Sequence, residues 1–222
     1  MQKCYALFDF DGTLIRGDSI VSFCFYAHRH GWMKTGALLK SAVLSVLYLC
    51  HLTTAQKSKQ AALAFLAGHS GKEVSAFAES FCRDVLLPRL YADGKKEIEK
   101  RISEGCEVWL VSASPAFYLE PLAKHLHVEV VIGTRLHVDE NGMHTGMMFG
   151  ENCRGIEKPL RLAEVLAARG DMLDYAGSWA YGDTAGDAPM LMQCGHKMAV
   201  NARKKLIKAL EGQDGVEQVR FR

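Results

Sequence analysis

The sequence lacks the pairs, runs and charge excesses that mark several large classes of protein. Its seven cysteines, at 4, 24, 50, 82, 106, 153 and 194, stand singly, with no C-x-x-C pair and an odd total. That spacing indicates neither a disulfide framework nor a zinc site, and a reducing cytoplasm suits it. The amino terminus has no basic flank leading into a long apolar run, so no signal peptide is expected. The most apolar stretch, Gly36 to Leu52, is interrupted by Lys40, Ser41, Ser45 and His51, and it falls short of the about 20 residues that a membrane-spanning helix needs. A net charge of +2 makes no electrostatic case for nucleic acid. Between Gly150 and Lys158 the glycines have P-loop spacing, but Ile156-Glu157 stands where Lys and Ser or Thr belong. No G-x-G-x-x-G follows a strand either, so nucleotide-cradling loops are not expected.

What remains is the composition of a folded protein, 222 residues with 49% hydrophobic and 23% charged, enough to bury a large core. Lys3 to Phe8 reads as a buried strand that delivers Asp9 and Asp11 at its far end, with Gly12 and Thr13 opening a turn. Strand alternation predicts that both carboxylates start out on the same side. Two like charges so placed call for a cation, and with oxygen ligands a hard divalent one, Mg²⁺ in particular.

From about residue 18 to 87 helical patterns follow one another without a strand. Ile20 to His30 is capped by Asp18 or Ser19 and stopped by Gly31. Gly36 to Leu52 is apolar almost all round and reads as the core of this segment. Thr53 or Thr54 caps a third helix to Leu66, and Val74, Phe77, Ala78, Phe81, Cys82 and Val85 form the stripe of a fourth, closed by Pro88. An α/β rhythm then resumes. Glu107 to Val111 is a strand ending at Ser112-Ala113-Ser114-Pro115, where Ser114 reads as the N-cap of the next helix and Ser112 as either a cap or a ligand-oxygen donor. A strand at Glu129 to Ile132 precedes a hairpin from Arg135 to Phe149 with Asn141-Gly142 as a type I′ turn. Lys158-Pro159 opens a helix, Trp179 to Tyr181 is a strand running into Gly182-Asp183, and Asp187 heads a short helix.

This pattern predicts an α/β fold with a doubly wound parallel sheet, a core domain over 1–16 and 89–222, and an inserted α-helical subdomain over 17–88. In such sheets ligands sit beyond the carboxyl ends of the strands. Asp9, Asp11, Ser112 and Asp183 all fall there, with Lys158 and Asp187 at helix starts. Acids, a hydroxyl and a lysine at one edge suit phosphoryl transfer, in which positioning and charge stabilisation dominate. A carboxylate can attack phosphorus, Asp11 can pass a proton to the leaving oxygen and later take one from water, Lys158 can neutralise charge, and Ser112 can hold an oxygen.

These motifs, D-F-D-G-T-L, S-A-S, the downstream Lys158 and G-D-T-A-G-D, taken in that order over the whole chain, resemble the haloacid dehalogenase superfamily of phosphohydrolases. The helical segment after the first motif, 17–88, resembles the cap domain of the phosphoserine phosphatase-like branch. The resemblance implies a Rossmann-like core, Asp9 as nucleophile and Asp11 as general acid/base. It further implies Mg²⁺ on Asp9, the backbone carbonyl of Asp11 and Asp183, with Asp187 supporting, and substrate on Ser112, Ala113 and Lys158. Asp18 matches an acid that contacts an amino-bearing substrate in the phosphoserine enzymes, or it only caps its helix. Gly186 stands where those enzymes usually carry Asn, and Ala113-Ser114 replaces their Gly-Gly. The expected activity is hydrolysis of a small phosphomonoester in the cytoplasm. The alternatives are a membrane-lipid phosphate reached at the periphery of the inner membrane through 36–52, and a phospho-accepting regulatory module.

Overall fold

The computed structural model describes residues 2–222. Gln2–Lys3 (β1) and Tyr5–Phe8 (β2) lead into Ser19–Arg29 (α1), Thr35–Leu49 (α2), Ala55–Leu63 (α3) and Gly71–Phe81 (α4). Asp18 caps α1 and Thr54 caps α3, while Ser70 and Glu73 form a reciprocal capping box on α4. A π-helical turn, Cys82–Leu86, and a 3₁₀ turn, Leu87–Arg89, carry the chain to Ala92–Ser103 (α5). There follow Glu107–Pro115 (β3), Ala116–His125 (α6), Val130–Val138 (β4), His144–Phe149 (β5), Glu157–Arg169 (α7), Met172–Leu173 (β6), Trp179–Gly182 (β7), Ala188–Leu191 (α8), His196–Val200 (β8), Lys204–Ala209 (α9) and Val216–Val219 (β9).

A seven-stranded sheet has the order β5-β4-β3-β2-β7-β8-β9, parallel except for β5, and β1 pairs with β6 in a separate two-stranded sheet. The expected α/β class holds. β2 is central, and the two faces of the sheet follow from its alternation. Ala6 and Phe8 pack with α1, α3, α4, α5 and α6, while Tyr5 and Leu7 pack with α7, α8 and α9. The helical segment is tied down on the antiparallel hairpin. Gly68 N donates to His144 O at 2.9 Å, Gly71 N to Gly142 O at 2.9 Å, and Met148 N to Gln60 Oε1 at 2.7 Å.

Four local expectations are corrected. The first strand is broken at Cys4, because its ends pair with different sheets. The hairpin does not turn through a type I′ pair, since Gly142 is left-handed (φ 76°) and Asn141 is not. Instead Asp139 organises a longer loop, its Oδ1 accepting from Asn141 N and Met143 N at 2.9 Å each. α2 is not buried all round: among its residues only Ser41 is buried, and Leu39, Val43, Val46 and Leu49 face outward. Finally, Cys4 and Cys106 are joined in a disulfide with Cα atoms 4.6 Å apart. Each precedes its strand by one residue, and β2 and β3 are neighbours, so the topology closes a separation of 102 residues that spacing alone does not reveal.

A cross-link over so long a loop removes much chain entropy from the unfolded state. Replacing both Cys4 and Cys106 by Ser is expected to lower the stability of the oxidised protein by about 2–4 kcal/mol, read as a shift of the urea midpoint. The same replacement should leave the reduced protein nearly unchanged.

Candidate active site

The site is assembled at the carboxyl ends of β2, β3 and β7. Asp9 follows β2 directly and keeps the parity of Tyr5 and Leu7, which turns it towards α7. Lys158, the second residue of α7 and wholly buried, donates from Nζ to Asp9 Oδ1 at 2.7 Å and to Asp187 Oδ1 at 2.6 Å. Asp187 Oδ2 accepts from Thr184 N at 2.9 Å and Thr184 Oγ1 at 2.8 Å. The carboxylate thus closes the loop after β7 and does not cap α8, where no side-chain cap bond forms. Asp183 follows β7 and completes a buried set in which oxygens of Asp9, Asp183 and Asp187 lie within 4.8 Å of one another.

Charge is the central feature of this cluster. Buried Lys158 pairs with Asp9 and Asp187, and exposed Arg203 reaches Asp183, its Nε 3.5 Å from Oδ2, so the three carboxylates still outnumber their cations. Burial raises Asp9 to about 6, with the Asp187 charge adding to it against the pull of Lys158. Burial likewise raises Asp183 to about 7, helped by the charges of Asp9 and Asp187. For Asp187 burial acts the same way, but Lys158 outweighs it and holds the carboxyl below its usual range. Burial works against the Lys158 charge too, and Asp187 and Asp9 overcome it, so the ammonium is held above the ordinary lysine value.

Two observations show that the set suits a divalent cation. Asp183 Oδ1 is buried with no hydrogen-bond partner among the described residues. Gly12, left-handed at φ 84°, leaves room beside that carboxylate, where a Cβ would stand 2.6 Å from Asp183 Cγ. An all-oxygen donor set with this charge deficit fits a hard ion such as Mg²⁺.

Asp11 is placed differently from the expectation. The strand ends at Phe8, and Asp11 turns away from the acid cluster, its carboxylate absent from that set. Ser19 N donates to Asp11 Oδ1 at 2.6 Å, and the Ser19 hydroxyl reaches Oδ2 at 3.0 Å. Ser114 donates to the same Oδ2, and Ser19 Oγ also lies 2.8 Å from the hydroxyls of both Ser114 and Tyr118. Burial, then the charge of Asp18, raises Asp11 to about 7. Any metal contact of Asp11 is therefore left to its backbone, since the carboxylate is committed to this hydroxyl network.

Ser114 accordingly serves Asp11 and is not the cap of α6, whose N-cap is Pro115 with no side-chain bond. Ser112 is buried, its Oγ accepting from Ser114 N at 3.1 Å. Beside it the Ala113 carbonyl accepts from Thr134 Oγ1 at 2.5 Å and from Lys59 Nζ. Lys59 comes from α3, and its Nζ also meets Asn152 Oδ1 at 2.6 Å. Burial lowers Lys59 to about 8 against the pull of Asp11 and Asp18. Asp18 stays exposed and caps α1, its Oδ1 accepting from Ile20 N at 2.9 Å.

Asp9, Asp183, Asp187 and Lys158 thus form one cluster, with Ser112 and Ala113 at the next strand end and Asp11 on a separate network. Sequence reasoning missed Ser19, Tyr118, Lys59, Thr134 and Asn152. None belongs to a local motif, and only the fold brings them to the strand ends.

The haloacid dehalogenase-like hydrolase family matches residues 6–192, and the chain belongs to that family. It is 34% identical over 188 residues to protein CicA of Caulobacter vibrioides, covering 83% of this chain and 80% of CicA. It is 29% identical to phosphoserine phosphatase SerB1 of Mycobacterium tuberculosis (98% and 70% covered) and 26% identical to a histidinol-phosphatase of Neisseria meningitidis (93% and 94%). A crystal structure of a Bordetella pertussis protein of unknown function superposes with a TM-score of 0.88 at 26% identity, covering 99% of both chains. A phosphoserine phosphatase carrying a phospho-aspartyl intermediate analogue shares the fold with a TM-score of 0.67 at 19% identity, over 99% of this chain and 94% of that one. The expectation of an enzyme, and of a phosphatase, agrees with these relatives, two of which are phosphatases by name.

Removing Lys158 leaves buried carboxylates without their counter-ion. Lys158→Met is expected to destabilise the metal-free protein by about 3–5 kcal/mol, measured by urea unfolding. Lys158→Arg should not restore the wild-type value, because a planar fork cannot replace a point charge shared by Asp9 and Asp187.

Proposed function

We propose that this chain is a Mg²⁺-dependent phosphomonoester hydrolase that acts through an aspartyl phosphate on Asp9. The observation that supports it best is the division of labour between the two motif acids. Asp9 is joined to Lys158 in the acid cluster, and Asp11 is set apart on a hydroxyl network.

In this reading a carboxylate oxygen of Asp9 forms a bond to phosphorus as the ester oxygen leaves, and Asp11 gives that oxygen its proton. Asp11, now ionised, takes a proton from water as the water attacks phosphorus. The bond from phosphorus to Asp9 then breaks, which releases inorganic phosphate and restores both acids. Ser19, Ser114 and Tyr118 hold Asp11 in place for both transfers. Ser112, whose Oγ accepts from a backbone N–H, keeps its own proton for a phosphoryl oxygen. Lys158 offsets charge on Asp9 and on the transferring group. Asp9, the Asp11 carbonyl and Asp183 would hold Mg²⁺, with Asp187 supporting, and the ion supplies charge neutralisation between the attacking carboxylate and the phosphate.

The segment 17–88 acts as the cap domain, and Lys59 presents it to the site. A small phosphorylated metabolite is the first substrate reading, supported by the relatives that are phosphatases of small metabolites by name. A phosphate ester on a membrane lipid is the second, favoured by the outward-facing leucines and valines of α2.

Asp9→Asn is expected to lower Mg²⁺-dependent phosphate release from p-nitrophenyl phosphate by about 10³-fold or more. Undiminished release would overturn the reaction. A screen of phosphorylated metabolites against lipid phosphates in detergent micelles, with Asp9→Asn as the blank, decides between the two substrate readings. Turnover confined to the micelles would reject the small metabolite.

A further inference from the structure

α2 carries apolar side chains on both sides: Ala37 and Leu38 pack inward against the core cluster, and a second row faces outward. The buried Ser41 and the partly buried Ser45 also face the rest of the protein, Ser45 Oγ donating to Ser41 O at 2.9 Å and lying 3.4 Å from Ser58 Oγ on α3. Outward, Leu39, Val43, Val46 and Leu49 keep 62, 58, 57 and 74% of their surface exposed. Their steps of four, three and three residues place them along one helix face. A row of four aliphatic side chains on the outside of a water-exposed helix needs a partner.

The charge around this face says which one. Between Ser19 and Lys72 the sequence has six basic residues and no acidic residue. Over the whole helical segment, 17–88, seven basic residues stand against four acidic ones, and the remainder, with twenty basic and twenty-one acidic, is slightly net negative. Lys34 at the N-cap of α2, Lys40 within it, Lys57 on α3 and Arg29 at the end of α1 are all exposed. A second copy of the chain packed on this face by a two-fold axis would bring the same lysines together with no acid to pair them. Anionic headgroups would pair with them instead, with the aliphatic row reaching the acyl boundary. No helix among the described residues is long and apolar enough to cross a membrane. On such a surface the fifteen residues of α2 would lie in its plane.

We propose that the Leu39–Leu49 face of α2 docks the protein on an anionic phospholipid surface. The docking does not rest on which phosphate ester is cleaved. It does set the site near the surface: Arg154 donates to the Tyr48 hydroxyl of α2, and a Cβ at Gly186, in the loop between Asp183 and Asp187, would stand 3.1 Å from Arg154 Nε.

The test is co-sedimentation of the whole protein with vesicles of phosphatidylcholine alone or mixed equally with phosphatidylglycerol, lipids that carry no phosphomonoester. Binding is expected to the mixed vesicles and to be released by high salt. It should fall by about tenfold or more in Val43→Glu/Val46→Glu and in Lys34→Glu/Lys40→Glu, and be unaltered in Asp9→Asn. Melting temperature and p-nitrophenyl phosphate hydrolysis should match wild type in both double variants, and the lysine pair keeps the test valid if the valine pair fails to fold. Failure to bind, equal binding to both vesicle types, binding that neither variant weakens, or a wild-type dimer that the valine variant dissociates would overturn the proposal.

Discussion

The Lys158 ammonium, held between Asp9 and Asp187, is the contact on which the site depends. Without it three carboxylates would meet in a buried space and at least one would take up a proton, because like charges at that range do not all ionise. With it, Asp187 stays ionised and fixes the loop after β7 through Thr184. One lysine still leaves the cluster short of positive charge, and the shortfall shows in the raised values of Asp9 and Asp183 and in the unpartnered Asp183 oxygen. The site is therefore organised by its own lysine and completed by something from outside the chain.

The sheet determines which side of that site each group serves. Asp9 keeps the parity of Tyr5 and Leu7 and so meets α7, which carries Lys158. The chain then leaves the strand, Gly12 takes a left-handed conformation, and Asp11 swings to the side where α1 and β3 supply Ser19 and Ser114. Two acids two residues apart thereby acquire different surroundings, one electrostatic and one made of hydroxyls. Separate environments allow separate roles in acid/base chemistry.

The parts that were legible in the sequence are those in which a residue's place follows from its own element. Asp9 and Asp183 follow strand ends, Ser112 lies near the end of β3, and Lys158 opens a helix, so their convergence could be read from periodicity and topology. Ser114 was misread because a serine before a proline and a helix has the form of a cap, while its partner Asp11 lies 103 residues away. Lys59 and Asn152 left no trace at all, since both act through the Ala113 carbonyl region across the gap between α3 and the core. The Cys4–Cys106 bond is of the same kind: it depends on strand order, which spacing does not encode.

α2 departs from its expected burial for another reason. Apolar composition does not fix burial, which is decided by which face the neighbours need, and α3 meets α2 through Ser45 and Ser58. The same helix also touches the rim of the site through Tyr48 and Arg154. A segment that is basic, apolar on its outer face and linked through Tyr48 and Arg154 to the loop after β7 joins surface and site through one helix. The acidic cluster and the basic segment are thus two parts of a single charge arrangement, in which carboxylates gather where a cation is needed and cations gather where the outside is to be met.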